Sequence, residues 1–283
     1  MYYITNRTIE QRFWLKNDAD IIDLAETWLA RAALLFGIKI YFFIIMDNHF
    51  HLAISSPLGK RISNFMAYFK SRLAWDINRI RGREGPLWKR RFDAAPILDA
   101  EAALERLAYT LLNPVAAHMC RKVTTSPVPS AARMILCGEK RRLRYFDRSA
   151  WHRAGKPKDK APFFKAIELK MEVLPALADY DEETRTAIIQ EAIANHPSNQ
   201  KVFRCAHRNF APRSRPKHPK RSPRVICHAS SLARYQDYID EYKAKVAAYY
   251  RAARQYIQGY VDVLFPEGMF PPSGYPLARH APP

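Results

Sequence analysis

Two short patterns in this 283-residue sequence carry residue types that can do chemistry. The first is His49-Phe50-His51, which follows the apolar run Ile38–Met46 and the turn pair Asp47-Asn48. The run and the segment His49–Ser55 read as two strands of a hairpin. Side chains alternate along a strand, so both imidazoles leave one face and Phe50 leaves the other. Two neutral imidazoles are good ligands for a divalent cation and leave positions open for water and phosphate oxygens. A pair of plain surface histidines has the same spacing, so the pattern by itself leaves both readings open.

The second pattern is Tyr109-Thr-Leu-Leu-Asn113, in a segment with helical periodicity. Its apolar stripe is Leu104, Leu107, Ala108, Leu111 and Val115. At about 100° per residue, Tyr109 and Asn113 fall nearly opposite that stripe, with Glu105 beside them. Four residues apart, both leave the same helix face. A Tyr outside the core stripe is either a working hydroxyl or amphipathic surface, and both readings stand on periodicity alone.

The elements that position these residues are legible around them. Tyr2–Thr8 reads as a strand, and residues 18–36, capped by Asn17, as a helix with the stripe Ile21, Leu24, Ala25, Trp28, Ala32 and Leu35. Residues 58–81 form a second helix with the stripe Ile62, Phe65, Phe69, Leu73, Ile77 and Ile80. Residues 94–98 read as an edge strand, and Asp99 caps the third helix, which ends near Asn113-Pro114. The expectation is an α+β fold, with helices 18–36, 58–81 and 99–113 packed on a mainly antiparallel sheet.

Composition divides the rest. Residues 1–123 are taken as one domain, 124–161 as a basic linker, and 162–283 as a mostly helical extension with a basic, Pro-broken tract at 211–224. A final helix is expected over 232–263. The sequence holds 46 Lys plus Arg against 27 Asp plus Glu, a net charge of +19, which calls for an anionic partner, most simply nucleic acid. Ten cations concentrate between residues 60 and 91: Lys60, Arg61, Lys70, Arg72, Arg79, Arg81, Arg83, Lys89, Arg90 and Arg91, against Asp76 and Glu84. Such a surface should track a phosphate backbone and bind less tightly as salt rises. With 48% hydrophobic residues a packed core is affordable, while no apolar run approaches the length of a membrane span and no signal peptide is expected. The four cysteines are widely spaced, which argues for a reducing cytoplasm over a disulfide scaffold. Cys205, His207, Cys227 and His228 lack finger spacing, and a zinc module is set aside.

Three stretches together resemble the single-tyrosine HUH transposases, and among them the REP-associated tyrosine transposases. Met46-Asp-Asn-His-Phe-His-Leu52 is similar to the family's M-x-N-H-x-H-L segment. Leu87-Trp-Lys-Arg-Arg-Phe92 is similar to its W-x-x-R-F segment, and Tyr109-Thr-Leu-Leu-Asn-Pro-Val115 to its Y-I-x-x-N-P-V segment. Order and spacing agree over roughly the first 120 residues. Position 110 is Thr where Ile is usual, and Ala116-Ala117-His118 stands where a glycine often follows.

The resemblance implies a ferredoxin-like sheet with His49 and His51 as metal ligands, Asn113 as a third, amide-type ligand, and Tyr109 as nucleophile. It implies Mg²⁺ or Mn²⁺ as the ion, hairpin-flanked single-stranded DNA as substrate, and a 5′-phosphotyrosine intermediate. Metal-bound water is expected to accept the phenolic proton, with Glu105 as a further candidate. A homodimer in which Tyr109 serves a partner's metal is known in the broader group, and the expected place of work is the bacterial nucleoid. A domesticated nucleic-acid-binding protein that keeps the fold without turnover is the alternative function.

Overall fold

The computed structural model describes residues 1–16, 19–56, 60–200, 211–216, 225–260, 262–269, 271–272 and 275. The expected cap Asn17, the start of the second helix at 58, Cys205 and His207, and residues 217–224 of the basic tract lie outside the described residues. The chain forms two compact units, Met1–His228 and Ala229–Pro283.

In the first unit the elements run β1 (Tyr2–Arg7), α1 (Ala19–Phe36), β2 (Lys39–Met46), β3 (His49–Ser55), α2 (Lys60–Ile80) and β4 (Asp93–Pro96). The strands pair antiparallel in the order β2-β3-β1-β4, so this is the βαββαβ, ferredoxin-like α+β arrangement. The histidine strand β3 is interior, hydrogen-bonded on both edges.

Alternation sorts the side chains. Phe43, Ile45, Phe50, Leu52 and Ile4 point to one face and are fully buried or nearly so. Phe50 meets Phe69 of α2 at 5.6 Å between ring centroids, so that face is covered by the α1–α2 pair. Burying several aromatic side chains there is the main hydrophobic gain of the domain, at about 25 cal/mol per Å² of apolar surface removed from water. The opposite face carries His49 and His51 and is covered by α3 (Ala100–Leu111).

Helix α3 starts where expected, because Asp99 accepts a hydrogen bond from Ala102 N at 2.8 Å. Pro114 cannot donate to the helix ladder. The chain breaks at Leu112 and continues as the single turn α4 (Asn113–Ala116), so the expected helix over 99–113 is two pieces.

Residues 124–161, expected as a linker, carry α5 (Ala132–Cys137), β5 (Arg141–Phe146) and α6 (Arg148–Arg153) and belong to the first unit. Residues 162–196, the first part of the extension expected to be mostly helical, contain a strand β6 (Phe164–Leu169) before α7 (Glu182–Asn195). β5 and β6 pair as a hairpin with Leu143 opposite Ile167. Its period-two pattern rests on Leu143, Ile167 and Leu169 alone, since exposed arginines fill the other face. This hairpin lies on α1, where Arg141 Nε reaches the buried Glu26 at 2.5 Å and a second guanidinium nitrogen reaches Asp23 at 2.6 Å.

The second unit is built on α8 (Leu232–Ile257), six residues shorter at its C-terminus than the expected helix, with Tyr249, Tyr256, Phe265 and Tyr275 gathered around Ala252. Among the described residues, no helix is long and apolar enough to cross a membrane.

Candidate active site

The site is built on the sheet face that α1 and α2 do not cover. Register places Thr5 of β1 and Ile44 of β2 opposite His51, and Arg7 and Met46 opposite His49. On the next strand Asp93 lies opposite Thr5, and Ala95 opposite Tyr3. Directly paired residues share a face. Tyr3, Thr5, Arg7, His49, His51, Asp93 and Ala95 therefore form one floor, and all of them line a cleft of about 500 Å³. Arg106 and Tyr109 of α3 line it from above, and Lys89, Arg90 and His228 from its sides.

The roll of α3 over this floor has a specific anchor. The Tyr3 hydroxyl and Thr110 Oγ1, both buried, are hydrogen-bonded at 2.9 Å. Leu107, Ala108 and Leu111 go into the core, which leaves Tyr109 only half-buried. The Tyr109 ring lies edge-on to His51, 5.8 Å between centroids at 87°. His51 in turn stacks on Tyr3 at 5.4 Å, and His49 is 5.0 Å from His51. The Arg106 guanidinium sits over the Tyr109 ring, 4.6 Å from its centroid.

A neighbouring amide orients His49, and burial holds His51 neutral. Asn48 Nδ2 donates to Gln11 O at 2.9 Å, which fixes the amide and turns Oδ1 toward His49 Nδ1 at 2.7 Å. An oxygen acceptor there requires the proton on Nδ1, so in the neutral ring the lone pair is on Nε2. His51 is buried, and burial, followed by the charges of His49, Arg7 and Arg106, holds its imidazolium well below the usual histidine range. Its Nδ1 is buried with no hydrogen-bond partner among the described residues. Two imidazoles on one face, one of them held neutral and with an unsatisfied buried nitrogen, fit a divalent ion. Among the described residues no group of three His, Cys, Asp or Glu could hold one.

The remaining expected residues fall in different places. Asn113 is not among the residues lining the cleft; its Nδ2 donates to Tyr109 O at 2.8 Å and to Thr110 O at 3.3 Å. Glu105 also lies outside the cleft lining, ion-paired with Arg106 and 3.5 Å from His196 Nε2.

Of the ten expected DNA-binding cations, Lys89 and Arg90 line the cleft. Lys70 donates to Arg90 O at 3.1 Å, and burial followed by the Arg91 charge lowers its ammonium to about 8. Arg91 lies over Phe92 at 5.6 Å. Arg81 donates to Lys16 O at 2.7 Å, and Arg83 to Pro86 O at 2.9 Å while stacking on Trp14. Arg61, Arg72 and Arg79 are exposed on α2, across the sheet from the cleft. The Lys60 side chain lies outside the described residues. The cations therefore do not form one track.

Arg7, Arg106 and His228 were not singled out from the sequence as cleft residues. Arg106 precedes Tyr109 by three positions on its helix, a spacing that could have flagged it. Arg7 follows from strand register once β1 is known to lie beside β3. His228 is invisible to spacing. Its backbone adds to the sheet edge past β4, with His228 N donating to Pro96 O at 2.8 Å, and its ring meets Tyr3 edge-on at 5.1 Å.

No curated protein matches the chain. One similar solved structure is described as a REP-associated tyrosine transposase bound to a REP hairpin; it has a TM-score of 0.39 and 15% identity over 48% of this chain and 78% of that one. Another, a putative transposase from Deinococcus radiodurans R1, has a TM-score of 0.30 and 17% identity over 37% of this chain and 84% of that one. The family model for IS200-like transposases matches residues 1–106, a stretch that holds both histidines and ends three residues before Tyr109. Over those residues the chain is similar to the IS200-like transposases.

Proposed function

We propose that this protein is a DNA strand-transfer nuclease that cuts and rejoins single-stranded, hairpin-flanked DNA through a covalent bond to Tyr109. The observation that carries the reading is the placement of His49, His51 and Tyr109 in one cleft whose walls also hold Arg7, Lys89, Arg90 and Arg106. Four cations, of which Arg90 is paired with the cleft carboxylate Asp93 at 2.6 Å, around two imidazoles and a phenol suit a phosphodiester.

His49 and His51 would hold a divalent ion, Mg²⁺ or Mn²⁺, which when bound polarises a non-bridging oxygen of the scissile phosphate. Asn113 would be the third ligand of this reading, and to serve it would have to release Tyr109 O. Arg7, Lys89 and Arg90 bind the phosphates on either side and orient the strand. The Tyr109 oxygen attacks phosphorus in line. A Tyr109–phosphorus bond forms, the bond to the 3′ oxygen breaks, the phenolic proton passes to water in the cleft, and the departing oxygen takes up a proton as a 3′ hydroxyl. The phosphodiester energy is kept in the tyrosine ester, so a 3′ hydroxyl can reverse the step without ATP. Arg106 stabilises negative charge developing on the Tyr109 oxygen and the phosphate. Glu105, the further candidate for proton acceptor, acts here by holding Arg106 above the ring.

Tyr109 faces its own chain's His51, which supports cleavage in cis without a partner's tyrosine. A DNA substrate of this kind places the work at the nucleoid. A second reading, a DNA-binding protein that keeps the fold without turnover, is favoured by one observation: Asn113 lies outside the cleft lining. Incubation with hairpin-flanked single strands and Mn²⁺ separates the two. The nuclease gives a protein–DNA adduct that survives denaturation, and the binder gives only a complex that does not.

A further inference from the structure

Across the sheet from the cleft, Trp75 of α2 stands 51% exposed between two guanidinium groups. Arg79, one turn along the helix, lies 5.4 Å from its ring centroid, and Arg148, at the start of α6, lies 5.2 Å from it. Arg148 thus ties the α2 surface to α6 and the β5–β6 hairpin, where the aromatic surface continues. Phe146 meets Trp151 at 5.7 Å and Phe164 at 5.2 Å; Phe164 is 45% exposed, with Arg144 5.5 Å from its ring. From Arg141 to Lys165 the sequence holds nine Lys or Arg against Asp147 and Asp159. Asp147 is already engaged, capping α6 and pairing with Lys165 at 2.9 Å.

We propose that α2, α6 and the β5–β6 hairpin form a second binding surface for single-stranded DNA, separate from the cleft. Exposed aromatic rings alternating with arginines are what an unpaired strand needs. Every base has a π-face that can stack on Trp75 or Phe164, and the guanidinium planes both extend that platform and pair with phosphates. The charge excludes a basic partner. A duplex, whose bases are already stacked, would leave the rings unused. The surface is largely built from residues beyond the stretch that the IS200-like family model matches, and the proposal does not depend on the reading of the cleft. Its use would be to hold strand away from the scissile phosphate, on the face opposite Tyr109.

The test uses the full chain, an oligothymidine of about twenty nucleotides, long enough for a stacking groove, ultraviolet crosslinking with peptide mapping, and fluorescence titration. The expected result is crosslinking to the peptide that carries Trp75 and quenching of a tryptophan signal that Trp75→Ala removes. Trp75→Ala and Arg148→Glu should each weaken binding roughly tenfold, and Trp75→Phe should restore most of the loss, because a stacking face is worth on the order of a factor of ten. Both positions are exposed, so the variants should fold as the parent does by circular dichroism. Crosslinks confined to cleft peptides, with Trp75→Ala and Arg148→Glu binding like the parent, would overturn the proposal. Tyr109 adduct formation is scored separately in the same samples, so failure of the second surface and failure of the cleft reading give different results.

Discussion

Tyr3 and Thr110 are 107 positions apart, yet their hydroxyls share a hydrogen bond of 2.9 Å in the core. That bond joins the floor of the cleft to the helix that carries Tyr109. Burial, opposed by the Thr110 bond, holds the Tyr3 phenol far above the usual tyrosine range, so it stays protonated at any working pH.

The first prediction concerns that bond. Tyr3→Phe leaves Thr110 Oγ1 buried without its partner, which should cost about 1–3 kcal/mol. Urea unfolding measures the loss. Adduct formation should slow more than binding does, because the phenol of Tyr109 loses its register while the cleft cations remain. Equal effects on both would mean that the bond supports the fold and not the aim of the helix.

A second prediction addresses the ion. His49→Ala and His51→Ala should each reduce Mn²⁺ binding, followed by its paramagnetic resonance signal, by more than 100-fold. Asn113→Ala should reduce it by about tenfold, the smaller effect of a ligand that must first leave its own helix. Wild-type Mn²⁺ affinity in His51→Ala would remove the histidine pair from the proposal.

How far the sequence led depends on the kind of signal each element carries. Strand alternation at His49-Phe50-His51 and the stripe of α3 predicted which faces meet, because burial of Phe50 and Leu107 leaves no other register. The β5–β6 hairpin was missed because only Leu143, Ile167 and Leu169 carry its alternation. The arginines that fill its exposed face resemble those of a linker. The cleft's third wall was missed for another reason: His228 reaches it through backbone pairing at the β4 edge, which leaves no periodic trace. The contacts of Glu105 were not legible because helical spacing sets direction around an axis but not which neighbour a carboxylate meets, and Arg106 and His196 are its partners.

The third prediction concerns the ion pair that fastens the hairpin to α1. Glu26 is buried, and burial raises its carboxyl pKa despite the Arg141 guanidinium beside it. Arg141→Leu removes the partner and should cost about 3 kcal/mol near neutral pH, where an uncompensated charge stays buried. The loss should shrink on acidification, because the orphaned Glu26 takes up a proton and becomes neutral. Thermal melts of both proteins between neutral pH and acid measure the difference. A loss that does not change with pH would mean that packing, and not charge, holds the hairpin.

The fourth prediction uses Lys70. Its folded pKa is lowered from 10.5 to about 8, so between those values the unfolded chain binds more protons than the folded one. Its contribution to stability therefore rises with pH over that window and is least below it. Lys70→Met should gain stability relative to the parent near pH 7, modestly because the side chain is partly solvated, and the gain should fade toward pH 10.5. Melting temperatures across that range test it, and a gain that grows with pH would reverse the sign of the argument.

The central claim is that Tyr109 is the nucleophile, and the most direct measurement is the covalent adduct itself. The parent and Tyr109→Phe are incubated with a 5′- or 3′-labelled hairpin-flanked single strand and Mn²⁺, then run under denaturing conditions. The parent should retain label from the strand 3′ of the cut, with a new 3′ hydroxyl on the other product and the modified peptide mapping to Tyr109. Tyr109→Phe should bind the strand as the parent does, because only a hydroxyl is lost, and should form no adduct. An adduct of undiminished yield in Tyr109→Phe would contradict the account.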